Sequence, residues 1–202
     1  MSPGLTRVVS WGHELLAEKI KKGQLTVDLT AGNGYDTLTL CRLVGETGQV
    51  IAFDIQSAAL QSTQQRLQEN GVVVRMWQGK EAPVPASPGV DLIEMGHEQL
   101  QRYLPGAPQG IVANLGYFPG GNRQIITLPQ TTFTALAQAC EVLAPGGRLV
   151  VVVYPGHPGG REEGVVVEDF FANLPDHDFQ VLQLKVVNRP NAPFLFVAEK
   201  RS

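Results

Sequence analysis

The order of apolar and polar positions divides the chain into alternating strand and helix segments. Leu25, Val27 and Leu29 alternate with Thr26, Asp28 and Thr30, the period of a short strand. The strand runs into Ala31-Gly32-Asn33-Gly34, and helical apolar spacing follows over 37–44. Val50 to Phe53 is an unbroken apolar run closed by Asp54, and Ser57 caps a helix that Asn70-Gly71 stops after residue 69. Upstream, residues 11–20 read as an amphipathic helix with Leu15, Leu16 and Ile20 inward; Lys19, Lys21 and Lys22 at its end suit the helix dipole. His13 on that helix is equally a site residue or a solvated or capping one.

Beyond residue 70, segments 72–77 and 90–95 compete for one place in a sheet. The expectation is that 90–95 is the sheet strand and 72–77 belongs to an excursion. Pro83, Pro85 and Pro88 make the intervening 80–89 a loop. Residues 110–115 form the next buried strand, ending in Asn114-Leu115-Gly116-Tyr117, and 118–123 are loop. Pro129 suits the first position of a helix reaching residue 143. The β-branched run 149–154 reads as a central strand. A second glycine-rich loop, 155–164, carries His157, a helix follows over about 165–173, and strands are expected at 179–187 and 194–199.

This βαβαβαβαβαββ succession predicts an α/β fold, a mostly parallel sheet with helices on both faces. No helix separates the last two strands, so they pair antiparallel. A dinucleotide-binding Rossmann domain would instead continue with parallel crossovers.

Composition narrows this picture. With 202 residues, 43% hydrophobic and 17% charged, one domain spanning 1–202 has enough chain for a proper core. A net charge of −3 argues against broad nucleic-acid binding while leaving room for a local basic patch. Cys41 and Cys140 lack metal-ligand spacing and read as buried thiols, and no metal is expected. No apolar run is long enough for a membrane span and no secretory signal opens the sequence, so a cytoplasmic protein is expected. The oligomeric state stays open, a homodimer among the options.

The chemistry gathers at the strand ends. A strand, a glycine turn and a helix start present backbone N–H groups in a nest that suits a nucleotide-like ligand. Asp54, 20 residues after Gly34, can accept hydrogen bonds from two ribose hydroxyls. Dinucleotides and S-adenosylmethionine both remain. The third glycine of GxGxxG is missing, Thr37 standing in its place, whereas Asp28 before Gly32 and Gly34 fits the D-x-x-x-G-x-G of class I methyltransferases, which also end in an antiparallel pair. The strand-end rule then brings Gly32 to Asp36, Asp54 to Gln56, Gly96-His97, Asn114 to Arg123 and Tyr154 to Glu163 to one crevice.

Asn114 resembles the asparagine of the N-P-P-Y motif of amino-methyltransferases, where the side-chain oxygen aims the amine's lone pair. Asn114-Leu115-Gly116-Tyr117 lacks both prolines of that motif. His157 could take a proton or bind phosphate. Arg123 and Arg161, in the two site loops, could each contact a phosphate, although a lone loop arginine is more often solvated.

Together, Asp28-x-Thr30-x-Gly32-Asn33-Gly34-x-Asp36-Thr37, Phe53-Asp54-Ile55-Gln56, Asn114-Leu115-Gly116-Tyr117-x-Pro119-Gly120-Gly121, Tyr154-x-Gly156-His157-Pro158 and Asn188-x-x-Asn191-x-Pro193-Phe194 resemble the small bacterial methyltransferases labelled rRNA methylases. The resemblance covers nearly the whole chain and departs at 72–89, where this chain is about one loop longer. It implies a Rossmann-like class I fold with a seven-stranded sheet in the order 3-2-1-4-5-7-6. It further implies S-adenosylmethionine as cofactor, contacted by Asn33, Asp36, Asp54, Gln56 and His97, with Asp28, Gly32, Gly34, Thr37 and Gly96 completing that set. Asn114, Tyr117 and His157 would face the acceptor, and Arg123, Tyr154 and Arg161 would bind substrate. Family members methylate 5-aminomethyl-2-thiouridine at the tRNA wobble position, which makes the tRNA anticodon loop the expected partner. Alternatives are rRNA or a small amine as acceptor, a nicotinamide-dependent oxidoreductase, and a non-catalytic RNA-binding module.

Overall fold

The computed structural model describes residues 7–78, 82–118, 125–189 and 191–202. The expected alternation is present, with more exact bounds: α1 (Val8–Ala17), β1 (Leu25–Asp28), α2 (Tyr35–Val44), β2 (Gln49–Phe53), α3 (Ser57–Glu69), β3 (Val74–Trp77), β4 (Gly89–Ile93), a 3-10 turn (His97–Gln99) running into α4 (Leu100–Tyr103), β5 (Gly110–Leu115), α5 (Pro129–Val142), β6 (Arg148–Val153), α6 (Gly160–Ala172), β7 (Phe179–Lys185) and β8 (Phe194–Lys200).

These strands form one eight-stranded sheet in the order β3-β4-β2-β1-β5-β6-β8-β7. Without β3, the order is the expected 3-2-1-4-5-7-6. All pairings are parallel except those of β8, which runs antiparallel to both β6 and β7. Strand β1 therefore lies at mid-sheet, with both faces covered. Its alternation does not mark a solvent face: Thr26 and Asp28 are as buried as Val27.

The two faces carry separate cores. On one, Val27, Ile51, Ile111 and Val151 pack against Leu136 and Ala139 of α5 and Val167 and Phe171 of α6. On the other, Val50, Ala52, Val112 and Val150 meet Leu16 of α1, Leu38 and Leu40 of α2, and Leu60 and Leu67 of α3. Burying an aliphatic or aromatic side chain of this kind contributes about 1.5–3 kcal/mol. Cys41 and Cys140 belong to these cores as free thiols, and burial pushes both up to about 12.

Two expectations change. Segment 72–77 does not leave the sheet, because its residues Val74–Trp77 add a parallel edge strand beside β4. What holds it is Asp91, fully buried on β4. Its carboxylate takes Arg75 Nε at 2.6 Å, Arg75 Nη2 at 2.9 Å and Trp77 Nε1 at 2.8 Å. A buried carboxylate is tolerated only when paired and hydrogen-bonded, and β3 supplies those partners. The second change is α6, which begins at Gly160 rather than near 165, so Arg161 sits in a helix and not in a loop. Glu162 and Glu163 occupy its first turn, where acids suit the dipole.

Candidate active site

The C-terminal ends of β1, β2, β4, β5 and β6 open on one cleft of about 740 Å³. Asp36, Asp54 and Glu98 line it, and no Lys or Arg stands among its described lining residues.

The half at β1 and β2 is shaped by backbone. Asp28 is fully buried, its Oδ1 accepting from the Thr30 N–H at 3.0 Å and its Oδ2 from the Thr37 hydroxyl at 2.6 Å. Burial pushes its pKa up to about 7, the Asp36 charge adding to the effect and the bonds from Thr37 and Thr30 opposing it. Gly34 caps α2 in the left-handed region at φ 75°, and a Cβ there would lie 2.9 Å from Thr63 Cα. Its glycine answers to α3 packing against the turn. Asp28, Gly34 and Thr37 thus stand behind the cleft wall rather than in it, while Gly32, Asn33 and Asp36 form the wall.

Asp54 closes the turn from β2. Its Oδ2 accepts the Gly32 N–H at 3.0 Å and its Oδ1 the Gln56 N–H at 2.9 Å. Burial raises its pKa, and these backbone bonds counter the rise. Gln56 and Gly96 also line the wall. His97 is buried beside them, and burial lowers its pKa against the opposing pull of Glu98 and the Leu29 carbonyl. Its Nε2 is buried without a hydrogen-bond partner among the described residues, although it lines an open cleft. Such an orphan marks a place where a ligand group would bond.

The half at β5 and β6 is shaped by side chains. Asn114, near the end of β5, is held by its N–H on Thr30 Oγ1 at 2.8 Å. Its Nδ2 donates to Asp36 Oδ2, and its Oδ1 faces the Tyr154 hydroxyl at 3.4 Å. The other Asp36 oxygen lies 2.5 Å from His13 Nε2. Burial, then the Asp36 charge, pushes the Tyr154 phenol up to about 12, so it stays a donor.

In the same wall, Gly116 donates its N–H to Thr127 Oγ1 at 2.9 Å, and Thr127 in turn donates to Glu163 behind it at 2.7 Å. Thr132 donates to the other oxygen of this buried acid at 2.6 Å. Glu163 therefore ties α6 to α5 and to the segment after β5.

Tyr117 and Tyr154 line the cleft; His157 and Arg161 do not. His157 packs edge-on against Tyr117, ring centroids 6.0 Å apart, and its Nδ1–H donates to the Pro158 carbonyl at 2.9 Å. Arg161 is exposed and donates to Asn191 Oδ1 at 3.0 Å. Arg123 lies outside the described residues. The sequence offered His13 only as one of two options, named Glu163 only as the end of a site loop, and missed Thr127, because their partners sit on other elements.

The family described as "Putative rRNA methylase" matches residues 50–200. The chain is 40% identical over 205 residues to a protein of Arabidopsis thaliana called "tRNA (mnm(5)s(2)U34)-methyltransferase, chloroplastic", across 98% of this chain and 71% of that one. Among solved structures, it resembles a "putative rRNA-methylase" from Clostridium thermocellum with TM-score 0.85 and 34% identity, over 96% of this chain and 97% of the other. A "putative methyltransferase" from Streptococcus mutans in complex with SAH gives TM-score 0.81 and 32% identity, over 96% and 98% of the two chains.

Proposed function

This chain belongs to the family described as "Putative rRNA methylase", and on that premise we propose that it is an S-adenosylmethionine-dependent N-methyltransferase of tRNA. Its substrate in this reading is 5-aminomethyl-2-thiouridine at the wobble position of the anticodon loop, and its product the 5-methylaminomethyl form. The observation that carries the reading is the 40% identity, across 98% of this chain, with an enzyme named for that nucleoside. Residues 1–202 are taken as one methyltransferase domain working in the cytoplasm.

The cleft fits such a cofactor. An acid-lined wall with no Lys or Arg among its described residues suits a cationic sulfonium. The Asp54 oxygens accept the Gly32 and Gln56 N–H groups, and the carboxylate can also accept from a ribose hydroxyl. The buried, unpartnered His97 Nε2 supplies one more polar contact. Gly32, Asn33, Asp54, Gln56 and His97 would hold the group, which when bound supplies an electrophilic methyl carbon.

The chain's own work lies at the acceptor. An aliphatic aminomethyl group is largely protonated at neutral pH and must give its proton to water before its lone pair is free. Asn114 Oδ1 accepts an N–H of the amine and aims the lone pair. Tyr154, un-ionised at neutral pH, steadies that oxygen from behind. Tyr117 offers its ring to the base, and the whole arrangement acts by positioning.

Purified protein, methyl-labelled cofactor and tRNA carrying the 5-aminomethyl group form the test. Label in the wobble nucleoside, identified by mass spectrometry, is the expected result. Label confined to rRNA or to a small amine overturns the substrate. A second reading, rRNA as acceptor, has the family description on its side, and the same measurement decides it.

A further inference from the structure

We infer that His13 is a positioning residue for the acceptor amine, acting through Asp36 on Asn114. The inference rests on the methyltransferase reading above and deepens it, because it moves Asp36 from the cofactor side to the acceptor side.

A carboxamide is nearly symmetric in shape. An asparagine at the end of a strand can present either its oxygen or its NH2 to the cleft with little steric difference. Only one orientation serves an amine acceptor, since an NH2 group cannot accept an N–H. Asp36 decides between the two. A carboxylate only accepts, so its Oδ2 draws Asn114 Nδ2 and leaves Asn114 Oδ1 turned toward Tyr154 and the cleft.

Asp36 needs its own anchor to do this. It lies in the first turn of α2, where its side chain could turn toward the helix N-terminus or toward ligand. His13 Nε2, 2.5 Å from Asp36 Oδ1, fixes the carboxylate on its second oxygen. His13 belongs to α1, which also packs on β6 and β8 through the core around Leu16. The histidine is absent from the cleft wall, and Asp36 is its ion-pair partner among the described residues. Segments α1, α2, β5 and the end of β6 are thereby joined through His13, Asp36, Asn114 and Tyr154.

A plain structural staple between α1 and α2 would use the same contact, so the test separates turnover from folding and from cofactor binding. His13→Ala and His13→Gln are compared with the wild type on the tRNA acceptor. The readouts are kcat, cofactor Kd by calorimetry and thermal midpoint. Glutamine keeps an N–H that can reach Asp36.

The expected result for His13→Ala is a fall in kcat of about 10²-fold, the scale of a misplaced reacting group, with cofactor Kd unchanged. His13→Gln restores most of the lost turnover. Unchanged kcat in His13→Ala overturns the inference. So does a loss confined to cofactor Kd, which would return Asp36 to the cofactor side. If His13→Ala does not fold, Asp36→Asn takes its place: an asparagine offers both a donor and an acceptor, so the same loss of kcat with intact cofactor Kd is expected. A wild type inactive on this tRNA overturns the substrate reading instead, and the comparison is then made on the RNA or amine that the wild type labels.

Discussion

The two halves of the cleft are built on different principles. At β1 and β2, most bonds are local: Asp28 holds Thr30 and Thr37, Asp54 holds Gln56, and one longer contact over 22 residues ties Asp54 to Gly32. At β5 and β6, the wall consists of side chains brought together from four segments, with separations of 23, 78 and 40 residues between successive partners. The first half is mainly a local turn, closed by one acid from the adjacent strand β2. The second exists only once the sheet and its flanking helices have assembled. In the proposed function, the first half holds the shared cofactor and the second a particular acceptor.

The sharpest way to break this comparison is to remove Asn114. Asn114→Ala is expected to lower turnover about 10²- to 10³-fold, as loss of a positioned hydrogen-bonding group does, while calorimetry shows cofactor binding intact. A parallel loss of cofactor affinity would show that the halves are not separable.

Asp54→Asn addresses the other half. A hydrogen bond to a charged acceptor contributes about 1.5–3 kcal/mol, so cofactor Kd should rise roughly 10- to 100-fold. Turnover at saturating cofactor should stay near the wild-type value. A variant with normal Kd and reduced kcat would invert the assignment.

Gly34→Ala tests whether that glycine serves the fold rather than the ligand. A side chain at φ 75° pressed against Thr63 should cost on the order of 1–3 kcal/mol in urea denaturation. An undiminished stability with lost cofactor binding would give Gly34 a direct ligand role.

A further effect is read as a slope. Asp28 has its folded pKa raised from 3.8 to about 7. Between those values the folded state holds the proton that the unfolded state has released, so stability falls as pH rises across that window. Asp28→Asn can still accept from Thr30 and donate to Thr37, and it should flatten the thermal midpoint between about pH 4 and 7. An unaltered slope would remove Asp28 as its source.

The same division governs what could be seen in advance. The turn at 31–34, Asp54 at the end of β2 and the antiparallel ending are local features, each with its own period or punctuation, and they announced the fold. Asp91, by contrast, made β3 a sheet strand through Arg75 and Trp77, contacts that no alternation of apolar residues encodes. Arg161 looked like a loop residue until Gly159, at φ 80°, started α6 early. His157, placed by resemblance at the acceptor, stands behind Tyr117.

What the sequence determined by itself, then, is the succession of strands and helices and the glycine turn with its two acids. Backbone hydrogen bonding and hydrophobic period act over a few residues and leave their mark in the order of the chain. Tertiary structure alone decided that His13, Asp36, Asn114 and Tyr154 meet, and which way Asn114 turns. A polar side chain gains its role from the partner it finds after folding, and that partner is set by strand order and helix packing rather than by neighbours in sequence.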